Sequence, residues 1–235
     1  MDLRRERQKA KRMILPIVLF AIQAAGGAAQ DRPPMILEIY RDSMKPGGEA
    51  AYRQIEEDAA RICFELKCPN PHLAIESLNG APEVWWLNAF ESGAHKEQVD
   101  AAYRANKPLM AALGEISKRK ASVTGTPVNV FAAYNPGASR DPSWAIAGAR
   151  YMIVITTSGS RVANGAAFDA PDGTRFILKP VRTQPEADAA AAAAGPRARV
   201  FAIRPYWGLP AQEWIDADRE FWKVNPSFRL SQVFQ

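Results

Sequence analysis

An α+β fold is predicted by three observations. Between residues 35 and 134, apolar segments follow the order strand, helix, strand, strand, helix, strand. Along that stretch the hydrophobic period switches between two and 3.6 residues, as strands and amphipathic helices require. Residues 150–235 then reuse the same short strands and helices. The chain has 235 residues, 47% hydrophobic and 23% charged, which is ordinary for a globular protein and excludes a mainly disordered one.

The first strand is the apolar run Met35–Tyr40, broken by Lys45-Pro46-Gly47-Gly48. Tyr52, Ile55, Ala59, Ile62, Cys63 and Leu66 then trace one helical face, with Glu56, Glu57, Asp58 and Arg61 assigned to the other. Pro69-Asn70-Pro71 stops that helix. His72–Leu78 reads as the second strand, Asn79-Gly80 as a hairpin turn, and the aromatic run Glu83–Phe90 as the third strand. Alternation puts Trp85, Leu87 and Ala89 on one face of it and Trp86, Asn88 and Phe90 on the other. A helix over Ala94–Lys118 carries Pro108, which breaks or kinks it midway, and Val128–Tyr134 closes the set. This β-α-β-β-α-β order is the ferredoxin-like split βαβ arrangement, with two helices on one face of a four-stranded antiparallel sheet. The other face is also apolar and needs a cover, either a second copy in a homodimer or the second half of the same chain.

Asn135–Gly148 reads as a linker. Beyond it come a strand at Tyr151–Thr156 and a hairpin over Ala167–Leu178 turning at Pro171-Asp172-Gly173. Thr183 and Glu186 form a capping box for an alanine-rich helix that Gly195 ends. A strand at Arg199–Tyr206, an amphipathic helix at Pro210–Lys223 and a short strand within Phe228–Phe234 complete the chain. The domain reading is therefore a leader over 1–30, a ferredoxin-like unit over 31–134, a linker over 135–149 and a divergent second α+β unit over 150–235, read as a degenerate repeat of the first.

Charge separates the leader from the body. Residues 1–30 hold six basic and two acidic residues, while the rest hold 24 and 23, a net of +1 out of +5 for the whole chain. A near-neutral body argues against nucleic acid as a partner. Met1–Arg12 is polar and basic, Met13–Ala25 is apolar, and Gly26–Gln30 is small, which is the pattern of a secretory signal peptide. The apolar run is shorter than the roughly 20 residues a spanning helix needs. The expectation is cleavage after Ala29 or Gln30 and a periplasmic or secreted protein with no stable membrane span, or an N-terminal anchor if the leader is retained. An exported chain can oxidise its two cysteines, Cys63 and Cys68. A disulfide between them would staple the first helix to its exit loop, and two free buried cysteines are the alternative.

The stretch from Met35 to Ile55 resembles the opening of NIPSNAP-type and antibiotic-biosynthesis-monooxygenase-type domains in its Glu38, Tyr40, Arg41, Pro46, Gly47 and Tyr52. The likeness covers about residues 35–134 and implies the dimeric α/β-barrel superfamily. That superfamily hosts cofactor-free oxygenases, haem enzymes, isomerases and proteins without known activity, so no catalytic residue transfers from it.

Chemistry-bearing residues are few. The histidines are His72 and His95, and Cys63, Cys68 and His72 match no zinc or haem-attachment spacing. No dinucleotide, phosphate-loop or nucleophile-elbow motif occurs, so no cofactor or metal is assigned. Asp216 and Asp218 sit two apart on a helix and face different ways. Arg197, Arg199 and Arg204 read as a charged sheet edge that blocks aggregation. Tyr40, Trp86 and Asn88 would share one sheet face if the first and third strands pair, with His72 opening the strand beside them. Asn88 is a lone amide in an apolar strand and needs a partner, in a cross-strand bond or in a ligand pocket. The leading function is binding of a small apolar ligand or a protein partner through the α/β-barrel-type domain. A cofactor-independent oxygenase or isomerase acting on a small aromatic or polyketide-like molecule, and a haem-handling protein, are the alternatives.

Overall fold

The computed structural model describes residues 32–158 and 163–222. The expected leader and the expected tail strand lie outside them. The elements, in chain order, are β1 (Ile36–Ser43), α1 (Glu49–Glu65), β2 (His72–Ser77), β3 (Glu83–Phe90), α2 (Gly93–Ala105), α3 (Lys107–Val123) and β4 (Val128–Tyr134), then β5 (Ser139–Arg140), β6 (Tyr151–Ser158), β7 (Ala163–Asn164), β8 (Ala166–Asp169), β9 (Thr174–Val181), α4 (Gln184–Ala194), β10 (Ala198–Ile203) and α5 (Gln212–Ala217).

Eight strands close into one antiparallel barrel in the order β1-β3-β2-β10-β6-β9-β8-β4. The first half contributes β4-β1-β3-β2 and the second β10-β6-β9-β8, so strands occupy the same sequence of places in each. The second half has no helix between its first and second barrel strands among the described residues. Two seams join the halves. One pairs Phe201, Ala202 and Ile203 with Ser77, Glu76 and Ile75. The other pairs Ala133 and Tyr134 with Asp169 and Phe168.

Period-two alternation sets what lies inside. Leu37 and Ile39, Trp85 and Leu87, Phe176 and Leu178, and Phe201 and Ile203 all point into the barrel and belong to one buried cluster. Trp85 is the central block, packed on Phe201 at 5.0 Å and Phe176 at 6.0 Å between ring centroids. Outward-facing residues of β1–β3 lie beneath α1 and α3, and those of β6, β9 and β10 beneath α4. The capping box of Thr183 and Glu186 starts α4.

The helix expected over Ala94–Lys118 is broken beside Pro108: it divides at Asn106, whose side chain caps α3 by accepting from Leu109 N at 3.2 Å, with Pro108 in the first turn. Three readings need correction. The segment 135–149, expected as a linker, packs into the core, with Trp144, Ile146 and Ala149 buried in the barrel cluster. The helix expected over Pro210–Lys223 shortens to Gln212–Ala217. Asp218 takes over there by accepting from Phe221 N, and Trp222 turns into the core with its indole N–H donating to Ala147 O at 2.7 Å. Strand β10 is no edge, since it pairs on both sides. Its Arg199 binds Glu83 and Arg204 Nε donates to Glu76 at 2.6 Å, which ties the halves by charge, while Arg197 reaches Thr157. Among the described residues no helix is long and apolar enough to cross a membrane.

A shared core makes the two halves one folding unit. Urea unfolding is expected to be a single transition by tryptophan fluorescence and circular dichroism alike. Phe201→Ala should lower stability by about 3–5 kcal/mol and move both signals together. Two separated transitions would show that the halves fold independently.

Candidate functional site

The outer face of the first sheet carries the site. In the β1–β3 register Tyr40 stands opposite Trp86 and Glu38 opposite Asn88. In the β2–β3 register His72 stands opposite Asn88. Pairing therefore brings Tyr40, Trp86, Asn88 and His72 onto one face, and all four line the same cavity of about 290 Å³. Helices α1 and α3 roof it with Ala59, Cys63, Leu113 and Ile116, and Tyr103 and Trp207 complete its walls. Cys63 and Cys68 are joined as a disulfide, which fastens the last turn of α1 to the loop before β2. The second histidine lies elsewhere: His95 Nδ1 accepts from Glu91 N at 3.3 Å, and its ring packs edge-on to Phe90.

The polar groups on this floor are tied together. Asn88 Nδ2 donates to Glu38 Oε2 at 3.2 Å, and Asn129 Nδ2 donates to Glu38 Oε1 at 2.8 Å. So the lone amide of β3 has a cross-strand partner and still borders the cavity. The His72 ring stands edge-on to Trp86 with centroids 5.6 Å apart, and its Nδ1 lies 3.3 Å from Asn70 O. Burial pulls its imidazolium down to about 4, against the Asn70 carbonyl, and the charge of Lys120 adds to the fall. His72 is therefore a neutral ring at neutral pH.

A buried ionic cluster forms one wall. Lys120 Nζ lies 2.6 Å from Glu56 Oε1 and 3.0 Å from Asp42 Oδ2. Tyr52 OH donates to the same Asp42 oxygen at 2.9 Å. Asp42 and Glu56 are almost wholly buried. Burial pushes the Glu56 carboxyl up, and the nearby lysine offsets that only in part. For Lys120, burial pulls the ammonium down, but the two carboxylates outweigh it and hold the proton more firmly than usual. Burial first, then the neighbouring carboxylates, raises both Tyr40 and Tyr52, so both hydroxyls stay protonated. The Lys120 cation also faces three rings, with centroids 5.0 Å away for Trp86, 5.5 Å for Tyr52 and 5.8 Å for Tyr40. Across the cavity, burial and then the charge of Glu38 push Tyr103 up to about 12.

The apolar periodicity assigns Glu56 to the face of α1 opposite Tyr52 and Ile55, and it does not single out Lys120. Both sit in the apolar stripes of their helices. Glu56 follows Tyr52 by four residues, and Lys120 follows Ile116 by four. A charge at a stripe position was the available signal, and the pair answers each other across two helices. Arrangements of this kind can bind a small molecule and exchange a proton with it. Among the described residues no group of three or more histidine, cysteine, aspartate or glutamate side chains is placed to hold a metal.

No protein-family model matches this chain. Curated proteins give no match either. Among solved structures it is similar to a protein titled "Putative monooxygenase" from Fusobacterium nucleatum, at 7% identity and a TM-score of 0.47, over 75% of this chain and 93% of that one. It is also similar to a protein titled "putative monooxygenase" from Lactobacillus acidophilus, at 6% identity and a TM-score of 0.42, over 82% of this chain and 90% of that one.

The depressed His72 has a signed consequence for stability. Its folded value of about 4 lies below the ordinary 6.5, so its contribution is complete above about pH 6.5 and is lost as pH falls toward 4. His72→Gln should differ from the wild type by a constant amount above that window. Within it the difference should shrink by roughly 2 kcal/mol, allowing for partial exposure of the ring. Denaturant titrations at several pH values check this, and a pH-independent difference would contradict it.

Proposed function

We propose that this chain is an exported protein that binds a small, mainly aromatic molecule in the cavity between the β1-β3-β2 face and helices α1 and α3. One observation carries the reading. Tyr40, Trp86, His72 and Asn88 meet on a single cavity floor whose far wall holds Lys120 and Glu56. Ligand sites combine an apolar body with a few convergent polar groups in this way. A volume of about 290 Å³ lies at the small end of such sites, which span about 300–1,000 Å³, and suits a one- or two-ring compound. A porphyrin macrocycle is larger than that, so the haem reading is disfavoured.

The oxygenase or isomerase reading is the second, and the buried Glu56–Lys120 pair favours it. We read the fold as two ferredoxin-like units, the second lacking its first helix, closed within one chain as dimeric α/β barrels close between subunits. The matching strand orders of the halves support that, and the resemblance to NIPSNAP-type and antibiotic-biosynthesis-monooxygenase-type domains over residues 35–134 belongs with it. A pseudo-dimer of this kind satisfies its own sheet and has no need of a second copy to cover it.

The ligand reading predicts that 2-naphthol binds and that Ala59→Phe, which grows into the cavity from α1, weakens it at least tenfold (about 1.4 kcal/mol) without loss of stability. Trp86→Ala should weaken it by a similar factor. Fluorescence titration decides, and unchanged affinity in both variants would overturn the site. The export reading predicts that protein recovered outside the cytoplasm begins just after Ala29 or Gln30, whereas an intact Met1 would contradict cleavage.

A further inference from the structure

Packing alone does not account for Glu56. Its side chain is fully buried, yet it forms part of the cavity wall. One oxygen is in ionic contact with Lys120 at 2.6 Å, and neither oxygen completes a hydrogen bond of good geometry. Buried carboxylates ordinarily gather donors for their lone pairs, because an unpaired one is costly. Here Oε2 has none. Lys120 stands on the same wall with three N–H groups, of which one is donated to Asp42 in a well-formed hydrogen bond, while its contact with Glu56 is ionic. The site thus holds an unsatisfied proton acceptor beside a cation with donor capacity to spare, under a floor of aromatic rings.

From this juxtaposition we infer that Glu56 is a general base that removes a proton from the carbon beside a ligand carbonyl, and that Lys120 holds the enolate oxygen that results. The substrate class is a small enolisable ketone with an aromatic or alicyclic body. This rests on the reading of the cavity as a ligand site and names what that ligand must carry. In the forward step the C–H bond breaks and its electron pair forms a C=C bond. The carbonyl π pair moves onto oxygen, and the proton goes to Glu56 Oε2. Return of the proton to the same carbon regenerates the ketone. Return to another carbon of an extended enolate gives an isomer. Nothing else is consumed.

The surroundings agree with this role. The groups facing Glu56 are Lys120 from α3, Asp42 and Tyr40 from β1, Tyr52 from its own helix, and His72 across the cavity floor. Of these, His72 is neutral and the two tyrosines keep their protons, so Lys120 is the one cation among them. Burial raises the basicity of the Glu56 carboxylate, which brings it closer to the working pH of a base. The disulfide and the Asp42–Lys120 contact hold α1 and α3 in place around it.

The test uses 2-tetralone in deuterated water with the intact protein. Binding is read by tryptophan quenching, and proton abstraction by loss of the α-hydrogen signal in proton NMR. The wild type should exchange those hydrogens well above the buffer rate. Glu56→Gln preserves shape and leaves the Asp42–Lys120 pair, and it should lower the protein-dependent rate by at least about 100-fold while affinity stays within about threefold. Glu56→Asp, a carboxylate of shorter reach, should recover part of the rate. Binding without exchange in the wild type would overturn the base while leaving the ligand site standing. Exchange that survives in Glu56→Gln would overturn the assignment of the residue. Failure of 2-tetralone and of 2-naphthol to bind at all would overturn the ligand site and the base with it.

Discussion

The fold and its cavity depend on the two strand seams that close the sheet. A four-stranded antiparallel sheet with helices on one side leaves an apolar face and two open edges, and each unpaired backbone group on an edge invites association with another chain. Here β2 meets β10 and β4 meets β8, so both edges of each half are consumed by the other. Closure also supplies the missing cover, because the inner face of each half becomes the core of the barrel. The ion pairs of Arg199 with Glu83 on β3 and of Arg204 with Glu76 on β2 also tie the β10 region to the first half. Part-exposed pairs of this sort contribute little to stability.

The outer face is then free for chemistry. Once Trp85 and Leu87 are committed inward, period-two alternation turns Trp86 and Asn88 outward beneath α1 and α3. Helices lying on a twisted sheet do not seal it everywhere, and the gap they leave is the cavity. Its ionic wall is costly to build. Lys120 is nearly buried among Asp42, Glu56 and three aromatic rings, where a well-packed apolar residue would serve stability as well or better. Retaining two acids and one cation in such a place is a feature of sites that handle charge or protons.

Much of this architecture was legible in the residues. Strand and helix order over 35–134 followed from hydrophobic period and from breakers such as Pro69-Asn70-Pro71. The grouping of Tyr40, Trp86, Asn88 and His72 needed only strand pairing and alternation. What stayed hidden was long-range. No local pattern says that β10, with its arginines, pairs on both sides, because an interior strand and a charged edge share that composition. Trp144 and Ile146 read as parts of a loop because Pro and Gly surround them, and the barrel core they pack into, with Trp144 against Phe168, exists only after long-range strand pairing. The pairing of Glu56 with Lys120 is hidden for a similar reason. A charged residue in an apolar stripe has no meaning until its partner is found, and that partner sits on another helix more than sixty residues away.

Six tryptophans divide the molecule into regions that a single experiment can tell apart. Trp86 and Trp207 line the cavity under α1 and α3. Trp144 and Trp214 line a separate apolar hollow beside the Pro33-Pro34 segment. Trp85 and Trp222 are core residues. The most direct measurement is the set of indole N–H resonances of nitrogen-15-labelled protein during titration with 2-naphthol, assigned by single Trp→Phe variants. The account predicts saturable shifts of Trp86 and Trp207, with Trp85 and Trp222 nearly still. Shifts confined to Trp144 and Trp214 would place the ligand in the other hollow and contradict the account.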